Sequence, residues 1–335
     1  MLFTGILSGL LFLIYGAILL IDPFDNLQFS FDLKRVQVSG TDRFFKPSVA
    51  RRRIYDSVII GSSTVMLIHP HRLGELMSAK FATLAMPAAS PFEQLRLLKL
   101  FTQHHPKTNY VLIGLDHIWC STDTLPKLIG FNAGNRIPDE LYDENIWNNW
   151  PAFSGTTIKY TKRQWKALYD TNQDSAGHDG YYDFTAKYSV YDLNSAQAKL
   201  YYGLNPIPEF NAVMRKPGLA LEEKLSRDYP ALRDLNKALK ALPNETIKIL
   251  VFVPFHWYEQ SRTFSQFSEC KNRVLVNQKQ IENLHIIDFM KYSEITLTDT
   301  NFWDPIHFTK DIAMQVEHSI AKQMRVIATS SDLKR

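Results

Sequence analysis

Three residues of this 335-residue chain have the types and spacing that covalent acyl chemistry requires. Ser63 follows a short apolar run, while Asp304 and His307 stand three positions apart near the C-terminus, just before an expected helix. A carboxylate so placed holds an imidazole in one tautomer, and the second ring nitrogen then faces a serine hydroxyl. Serine alone is a weak nucleophile and needs such a base. The pattern predicts Ser63 as nucleophile, His307 as general base and Asp304 as the residue that orients His307.

The serine lies where a strand is expected to run into a helix. Residues 56–60 read as a short buried strand, Gly61-Ser62-Ser63-Thr64 follows it, and a helical pattern begins at about Thr64. A hydroxyl at such a turn is close to a helix N-terminus, whose partial positive charge favours developing negative charge. A serine that only caps the helix explains the same residues. The strand-end serine followed much later by Asp-x-x-His favours the catalytic interpretation.

Two more expected strands end in polar residues. Gly114-Leu115-Asp116-His117 follows the strand at 110–114, and Pro254-Phe255-His256-Trp257 follows the strand at 247–253. Because open α/β sheets place their sites at the carboxyl ends of the strands, Asp116 and His256 are candidates for substrate contact. The alternatives are a turn capped by Asp116 and a loop histidine whose hydrogen bonds are satisfied within the protein.

Strands alternate with helices over most of the chain, which predicts the α/β class with a doubly wound, mostly parallel sheet. Ser90 and Glu93 have the spacing of a capping box at a helix start. Residues from about 120 to 215 break the alternation and predict a large middle insertion over one end of the sheet. The expected strands are 56–60, 81–85, 110–114, 247–253 and 284–288, and the expected helices are 64–80, 90–101, 219–242, 260–281 and 309–327.

The N-terminal segment determines the expected compartment. Residues 2–21 carry no charge, and at ~1.5 Å per residue such a helix spans roughly 30 Å, the hydrocarbon thickness of a bilayer. The run is longer than the apolar part of a cleaved signal peptide and lacks a small-residue cleavage pattern. We expect a transmembrane signal anchor at 1–21, a linker and lead-in at 22–53, and one domain at 54–330 that lies outside the membrane. A buried core helix is the alternative.

Composition excludes several classes of function. The net charge is +4 with 45% hydrophobic and 21% charged residues, and no basic stripe interleaved with aromatics or zinc-binding spacing indicates a nucleic-acid partner. The basic run Arg51-Arg52-Arg53 reads as a solvated lead-in to a strand or as a contact for anionic lipid or polysaccharide. Cys120 and Cys270 lie far apart without CxxC spacing, so we expect no metal and no other cofactor. A disulfide and two free thiols both stay open.

Together these motifs resemble the SGNH hydrolase superfamily. The resemblance consists of Gly-x-Ser after the first strand, a Gly-x-Asp block after a middle strand, and Asp-x-x-His before the last helix. The apolar N-terminus and the ending Asp304-Pro305-Ile306-His307-Phe308 look like its membrane-anchored branch, which includes alginate O-acetylation (AlgJ/AlgX-like) and DltD-like proteins. The similarity covers roughly residues 1–120 and 245–327, and it implies a three-layer, flavodoxin-like fold.

The resemblance also implies roles for individual residues. The backbone N–H groups of Ser63 and of the turn around Ala88 would form the oxyanion hole. Three positions depart from the usual pattern: Ser62 replaces an aspartate, Ala88 stands in a block that usually offers glycine, and Asp116 replaces an asparagine that donates to the oxyanion. An ionised carboxylate cannot donate a hydrogen bond. Losing one such donor costs about 2.7–4 kcal/mol, or ~10²–10³ in rate.

The function implied is acyl transfer, in this branch commonly of an O-acetyl group, onto a cell-envelope polysaccharide or related polymer. The expected partner is a membrane-bound O-acyltransferase, and the expected location is the cytoplasmic membrane with the domain in the periplasm. The alternatives are a non-catalytic partner that binds the polymer or docks on the acyltransferase, and a simple esterase or thioesterase. Aromatic side chains of the insertion are candidates for stacking on sugars or for its core; they are Trp119, Trp147, Trp150, Tyr181 and Tyr182.

Overall fold

The computed structural model of the chain has an α/β architecture. It describes residues 2–27, 30–31, 33, 35, 41–121, 139–142, 150–151, 153–169, 178–186, 190–214, 228–278 and 280–332. The strands are β1 Ser57–Ile60, β2 Phe81–Thr83, β3 Tyr110–Leu115, β4 Ile247–Phe252, β5 Leu284–Asp288, β6 Phe302–Asp304 and β7 His307–Phe308. The helices are α1 Leu2–Ile21, α2 Asp42–Arg51, α3 Pro70–Met77, α4 Pro91–His104, α5 Gly155–Ala167, α6 Leu193–Leu200, α7 Phe210–Met214, α8 Pro230–Lys240, α9 Trp257–Gln278, α10 Glu294–Leu297 and α11 Lys310–Asp332.

The central sheet has five strands in the order β2-β1-β3-β4-β5, and every neighbouring pair is parallel. This is one of the common orders of doubly wound sheets, in which ligands bind where the chain leaves the sheet in opposite directions. That point lies between β1 and β3, beside Ser63 and Asp116. The sequence prediction of an α/β fold with a parallel sheet is confirmed.

Helices cover both faces of the sheet. Because right-handed crossovers that lead in opposite directions place their helices on opposite faces, α3 and α4 lie on different sides. Their contacts agree, since α3 packs on α11 while α4 packs on α2 and α8. Strand β1 is buried at all four positions, three of them apolar, as expected for a parallel strand covered on both faces.

Local differences from the sequence prediction have clear causes. The helix expected at 64–80 is a 3-10 turn at Ser63–Val65 followed by α3, which begins at Pro70 because proline fits the first turn of a helix and disrupts its interior. The capping box at Ser90 and Glu93 is present. The helix expected at 219–242 is described only as α8, and residues 219–227 lie outside the described residues.

A disulfide joins Cys120, just after β3, to Cys270 in α9, with their Cα atoms 5.6 Å apart. Both sulfurs lie in the buried core. The sequence left a disulfide and two free thiols open, and the structure has the disulfide. It closes a loop of 150 residues that contains the whole insertion and β4.

Helix α1 is long and apolar enough to cross a membrane: its window Phe3–Ile21 has a mean hydropathy of 2.3, and 11% of it is buried. Its last turns pack into the domain, where Ile18 and Ile21 are buried. Arg35 holds the end of the helix by donating to the carbonyls of Asp22, at 2.8 Å, and Ile21, at 3.2 Å. The segment at 22–53, expected as a linker and lead-in, contains α2, whose side chains are largely core residues.

Candidate active site

Ser63, His307 and Asp304 form a continuous chain of hydrogen bonds. The Ser63 hydroxyl donates to His307 Nε2 at 2.8 Å, and His307 Nδ1–H donates to Asp304 Oδ2 at 2.7 Å. The His307 and Asp304 side chains are 19% and 31% exposed, and Ser63 is half-buried. The chain of bonds therefore opens to the surface, where a substrate can reach the serine oxygen.

The Asp-x-x-His spacing places two side chains on one face of a tight hairpin. Strands β6 and β7 pair antiparallel, with Asp304 directly opposite His307. Opposed residues of an antiparallel pair have Cβ atoms about 4.5–5.5 Å apart on the same face. The other Asp304 oxygen, Oδ1, lies 2.9 Å from His307 Nδ1 and also accepts from the backbone N–H groups of Ile306 at 3.1 Å and His307 at 3.0 Å, which fixes the turn.

The electrostatics of this hairpin keep Asp304 ionised. Burial raises the pKa of the Asp304 carboxyl, but the hydrogen bond from His307, the electrostatic attraction of its imidazole and the two backbone N–H groups lower it by more. The net pKa of Asp304 therefore lies below its ordinary value. An ionised carboxylate accepts from His307 Nδ1–H and leaves Nε2 free to accept a proton from Ser63.

Two glycines let the turn at Ser62–Val65, called the nucleophile turn after the predicted role of Ser63, pack closely on the sheet. A Cβ added to Gly61 would lie 2.3 Å from Val65 Cγ2, and one added to Gly114 would lie 2.2 Å from Val65 Cγ1. Val65, in the turn that begins with Ser63, therefore packs directly against the ends of β1 and β3. The glycines of the two blocks are explained by this close approach.

Asp116 supports the nucleophile turn from below. Its carboxylate is fully buried and accepts hydrogen bonds from the Ser62 hydroxyl, from the Thr64 hydroxyl at 3.3 Å and from the backbone N–H of Ile118 at 3.0 Å. Direct contact between Asp116 and a substrate, one of the sequence hypotheses, is therefore wrong, because no part of the side chain reaches solvent. Its charge is directed to the residues on either side of Ser63.

Ala88, the residue expected from the sequence to contribute to an oxyanion hole, lies in a turn with left-handed backbone. It has a φ of 49°, in the region that favours glycine. Arg43 holds the turn by donating to the Ala88 carbonyl at 3.3 Å and to Glu93 Oε2 at 3.1 Å. Within the residues that the structure describes, the N–H groups of Ser63 and Ala88 donate no hydrogen bond.

His256 does not contact substrate, because its side chain is fully buried. Its Nε2 pairs with Asp299 Oδ1 at 3.0 Å, and Asp299 also accepts from Tyr201 at 2.7 Å and Gln197 at 2.8 Å. The backbone N–H of His256 donates to the carbonyl of Pro305, at 2.9 Å, in the Asp304–His307 turn. The role that the structure gives His256 is support of this hairpin from beneath.

Trp119 is 1% exposed and belongs to the core, so its predicted contact with substrate is wrong. Trp150 is 38% exposed, and Tyr181 and Tyr182 are partly buried. Tyr181 stacks near His69, with ring centroids 4.2 Å apart. Trp147 lies outside the described residues.

Two residues of the insertion that reach the site were not predicted from the sequence. The ring of Phe184 meets His307 edge-on, with centroids 5.5 Å apart. The hydroxyl of Tyr191 donates to the carbonyls of Phe302, at 2.8 Å, and Asp299, at 3.2 Å, and so supports the start of β6. No local sequence signal marks either residue, because each approaches the hairpin from more than a hundred positions away.

No group of His, Cys, Asp or Glu among the described residues is arranged to hold a metal ion. Comparison with known proteins gave no match: no family model fits the sequence, and no curated protein does. The chemistry of the site therefore follows from its own geometry.

Proposed function

We propose that this chain is an SGNH-type serine acyltransferase or esterase, anchored in a membrane, that transfers an acyl group, commonly acetyl, to a cell-envelope polysaccharide. The observation that carries the proposal is the Ser63–His307–Asp304 chain of hydrogen bonds at the carboxyl end of β1. Nucleophile, base and orienting carboxylate within hydrogen-bond reach are the signature of nucleophilic catalysis.

The first half-reaction uses all three side chains. Ser63 Oγ attacks the carbonyl carbon of the acyl donor while His307 Nε2 takes the hydroxyl proton. The carbonyl oxygen becomes an oxyanion that accepts from the N–H groups of Ser63 and Ala88. When the intermediate collapses, the leaving group departs with the proton from His307, and an ester to Ser63 remains.

In the second half-reaction a hydroxyl of the acceptor polymer attacks the Ser63 ester. His307 takes the proton of that hydroxyl and returns it to Ser63 Oγ as the acyl group leaves the serine. Water in place of the polymer gives hydrolysis by the same steps. Transfer therefore requires an acceptor bound beside the site.

A cleft of about 820 Å³ next to the hairpin supports such an acceptor site. It is lined on one side by the insertion, including Tyr191, and on the other by the Asn301–Trp303 segment and the start of α11 at Lys310. Aromatic faces and mixed polar groups are suited to sugars. Its lining includes Trp303 and Thr309, which flank the Asp304–His307 hairpin in the chain.

The proposed location is a cytoplasmic membrane, with α1 as a single-pass anchor and the domain outside. The Cys120–Cys270 disulfide supports this location, since disulfides persist in oxidising compartments such as the periplasm. A membrane-bound O-acyltransferase in the same bilayer is the proposed partner, because it would deliver the acyl donor at the membrane surface.

Purified full-length protein should be labelled at Ser63 by a serine-reactive phosphonate and should turn over an activated acetyl ester. Ser63→Ala should abolish both, and the matched control Ser62→Ala should retain the phosphonate adduct at Ser63. Acetyl transfer to an oligosaccharide above the hydrolysis rate identifies a transferase. Turnover that is unchanged in Ser63→Ala would exclude the nucleophile, and a protein that binds polymer without labelling would be the non-catalytic partner.

A further inference from the structure

Helix α5 buries mostly polar positions and exposes large apolar side chains beside basic ones. The buried positions are Thr157, Thr161, Gln164 and Ala167. The exposed side includes Ile158, which is 38% exposed, and Trp165, which is 53% exposed. A surface helix of a water-soluble domain normally buries its apolar side chains and exposes its polar ones. This inversion indicates that the outer face of α5 meets something other than water.

The exposed side of α5 divides into two stripes. Ile158, Trp165 and Tyr169, the last in the turn that follows the helix, are spaced at i, i+7 and i+11 and form an aromatic stripe; the rings of Trp165 and Tyr169 are 6.0 Å apart. Beside it lies a basic stripe, and α5 contains no acidic residue. The members of the basic stripe are Lys159, Lys162, Arg163 and Lys166, all exposed.

Helix α5 packs along the last turns of α1. Phe153, just before α5, lies with its ring 6.1 Å from that of Tyr15, and Gln164 donates to the carbonyl of Pro23 at 3.2 Å. The apolar window of α1 ends at Ile21 and has the length of a bilayer crossing, so Ile21 marks the edge of the hydrocarbon layer. Tyr15 then lies about 9 Å inside that edge, at ~1.5 Å per residue. Phe153, which is 49% exposed, is carried to the same depth.

We infer that the outer face of α5 is immersed in the headgroup layer of an anionic membrane. The aromatic stripe is continuous with the proposed anchor, and Trp and Tyr are enriched at membrane interfaces. The basic stripe is complementary to anionic headgroups, which attract Lys and Arg near the surface. The inference rests on the proposed anchoring by α1 and is independent of the acyl chemistry. It assigns a lipid surface, rather than a protein, to this face.

The experiment uses the full-length protein in nanodiscs of phosphatidylglycerol or of phosphatidylcholine. A nitroxide is attached to one added cysteine at a time: Ile158→Cys in α5, Leu10→Cys in α1 and Val276→Cys on α9, which is exposed like Ile158 but remote from α1. Collisions with oxygen and with a water-soluble nickel chelate report depth. We expect residue 10 in hydrocarbon, residue 276 in water, and residue 158 several-fold less accessible to nickel than residue 276 in phosphatidylglycerol.

Variants that remove positive charge test the role of the basic stripe. Lys162→Gln with Lys166→Gln should raise the nickel accessibility of residue 158 in phosphatidylglycerol, whereas the control Lys237→Gln with Lys240→Gln on α8 should leave it unchanged. Equal accessibility at residues 158 and 276 would overturn the inference. Protection of residue 158 in native membranes but not in nanodiscs would assign the face to a protein partner and also overturn it.

The outcomes separate this inference from the proposed function. If residue 10 is exposed to water, the anchoring proposal fails and the lipid contact of α5 fails with it. If residue 10 is in hydrocarbon and residue 158 is in water, only the present inference fails. Phosphonate labelling of Ser63 in the same nanodiscs tests the acyl chemistry in either case.

Discussion

Replacing Asp116 by asparagine tests whether its carboxylate supports the nucleophile turn or faces the oxyanion. Asparagine restores the residue type that the resembled superfamily uses as an oxyanion donor. In this structure the side chain is fully buried and directed at Ser62, Thr64 and the N–H of Ile118. We therefore expect Asp116→Asn to change the rate of Ser63 acylation by less than about tenfold, because the new N–H₂ group does not point at the reacting oxygen.

The expected changes in the free energy of unfolding follow from the hydrogen bonds that each variant loses. In Asp116→Asn the amide oxygen can still accept from the N–H of Ile118. The oxygen that accepts from the Ser62 and Thr64 hydroxyls becomes an NH₂ group, which donates instead, and this should lower the free energy of unfolding by about 1–1.5 kcal/mol. Asp116→Ala removes every bond, although the Ser62 and Thr64 hydroxyls, 3.0 Å apart, can still bond to each other. Of the three bonds lost, the one from Thr64 is long, at 3.3 Å, and that hydroxyl keeps Ser62 as a partner; the other two, at about 1.5 kcal/mol each, give a loss of about 3 kcal/mol.

The assay combines phosphonate labelling rates at Ser63 with urea unfolding of the full-length protein in detergent. Asp234→Asn, on the exposed side of α8, is the matched control and should change neither quantity. A gain in acylation rate of ~10² or more in Asp116→Asn would refute the reasoning, since that is the gain expected when a carboxylate in an oxyanion hole becomes a donor.

Three further predictions concern stability and reactivity. The Lys46 amine is buried against the carbonyls of Thr83 and Gly180, and burial lowers its pKa to about 8, against the opposing charges of Asp42 and Asp179. In the unfolded chain Lys46 keeps its proton to about pH 10.5, so below pH 8 burial of the charged amine lowers the free energy of unfolding by its full amount of about 3 kcal/mol. As the folded protein loses this proton, the free energy of unfolding should rise by about 2–3 kcal/mol by pH 10, and the Lys46→Met variant should lack this rise in urea unfolding. Ala88→Gly should stabilise the chain by about 0.5–1 kcal/mol and preserve labelling of Ser63, whereas Ala88→Val should cost about 1–2 kcal/mol, because L-residues are strained at positive φ; equal stability of the two variants would contradict this. Cys120→Ser with Cys270→Ser should lower the free energy of unfolding by about 3–5 kcal/mol, as should reduction of the wild type, and the loss should be absent when the double variant is treated with reductant.

The sequence predicted what depends on local pattern. The five strands of the parallel sheet were predicted within two positions of their bounds, because buried parallel strands read as continuous apolar runs, whereas β6 and β7, which carry Asp304 and His307, were not predicted. The Asp304 and His307 pairing was also readable, since a spacing of three places both side chains on one face of a hairpin. These features need only neighbours along the chain.

Contacts between distant segments could not be predicted from the sequence. Asp116 and His256 were placed correctly at strand ends, but which way each side chain points depends on partners such as Ser62 and Asp299, which pattern alone does not locate. Trp119 was a candidate for stacking on sugars or for the core of the insertion, and it lies in the core directly before a disulfide whose second half is 150 residues away. Long-range packing decides these cases.

The way α1 joins the domain has a consequence for how substrates meet the serine. Arg35 binds the carbonyls at the end of α1, and α5 packs along its last turns, so anchor and domain move as one body. With α1 in a bilayer, Ser63 travels laterally at one fixed height above the lipid and the search for a partner becomes two-dimensional. Under the proposed function, a donor would have to present its carbonyl at that height, so the anchor would select substrates by their distance from the membrane.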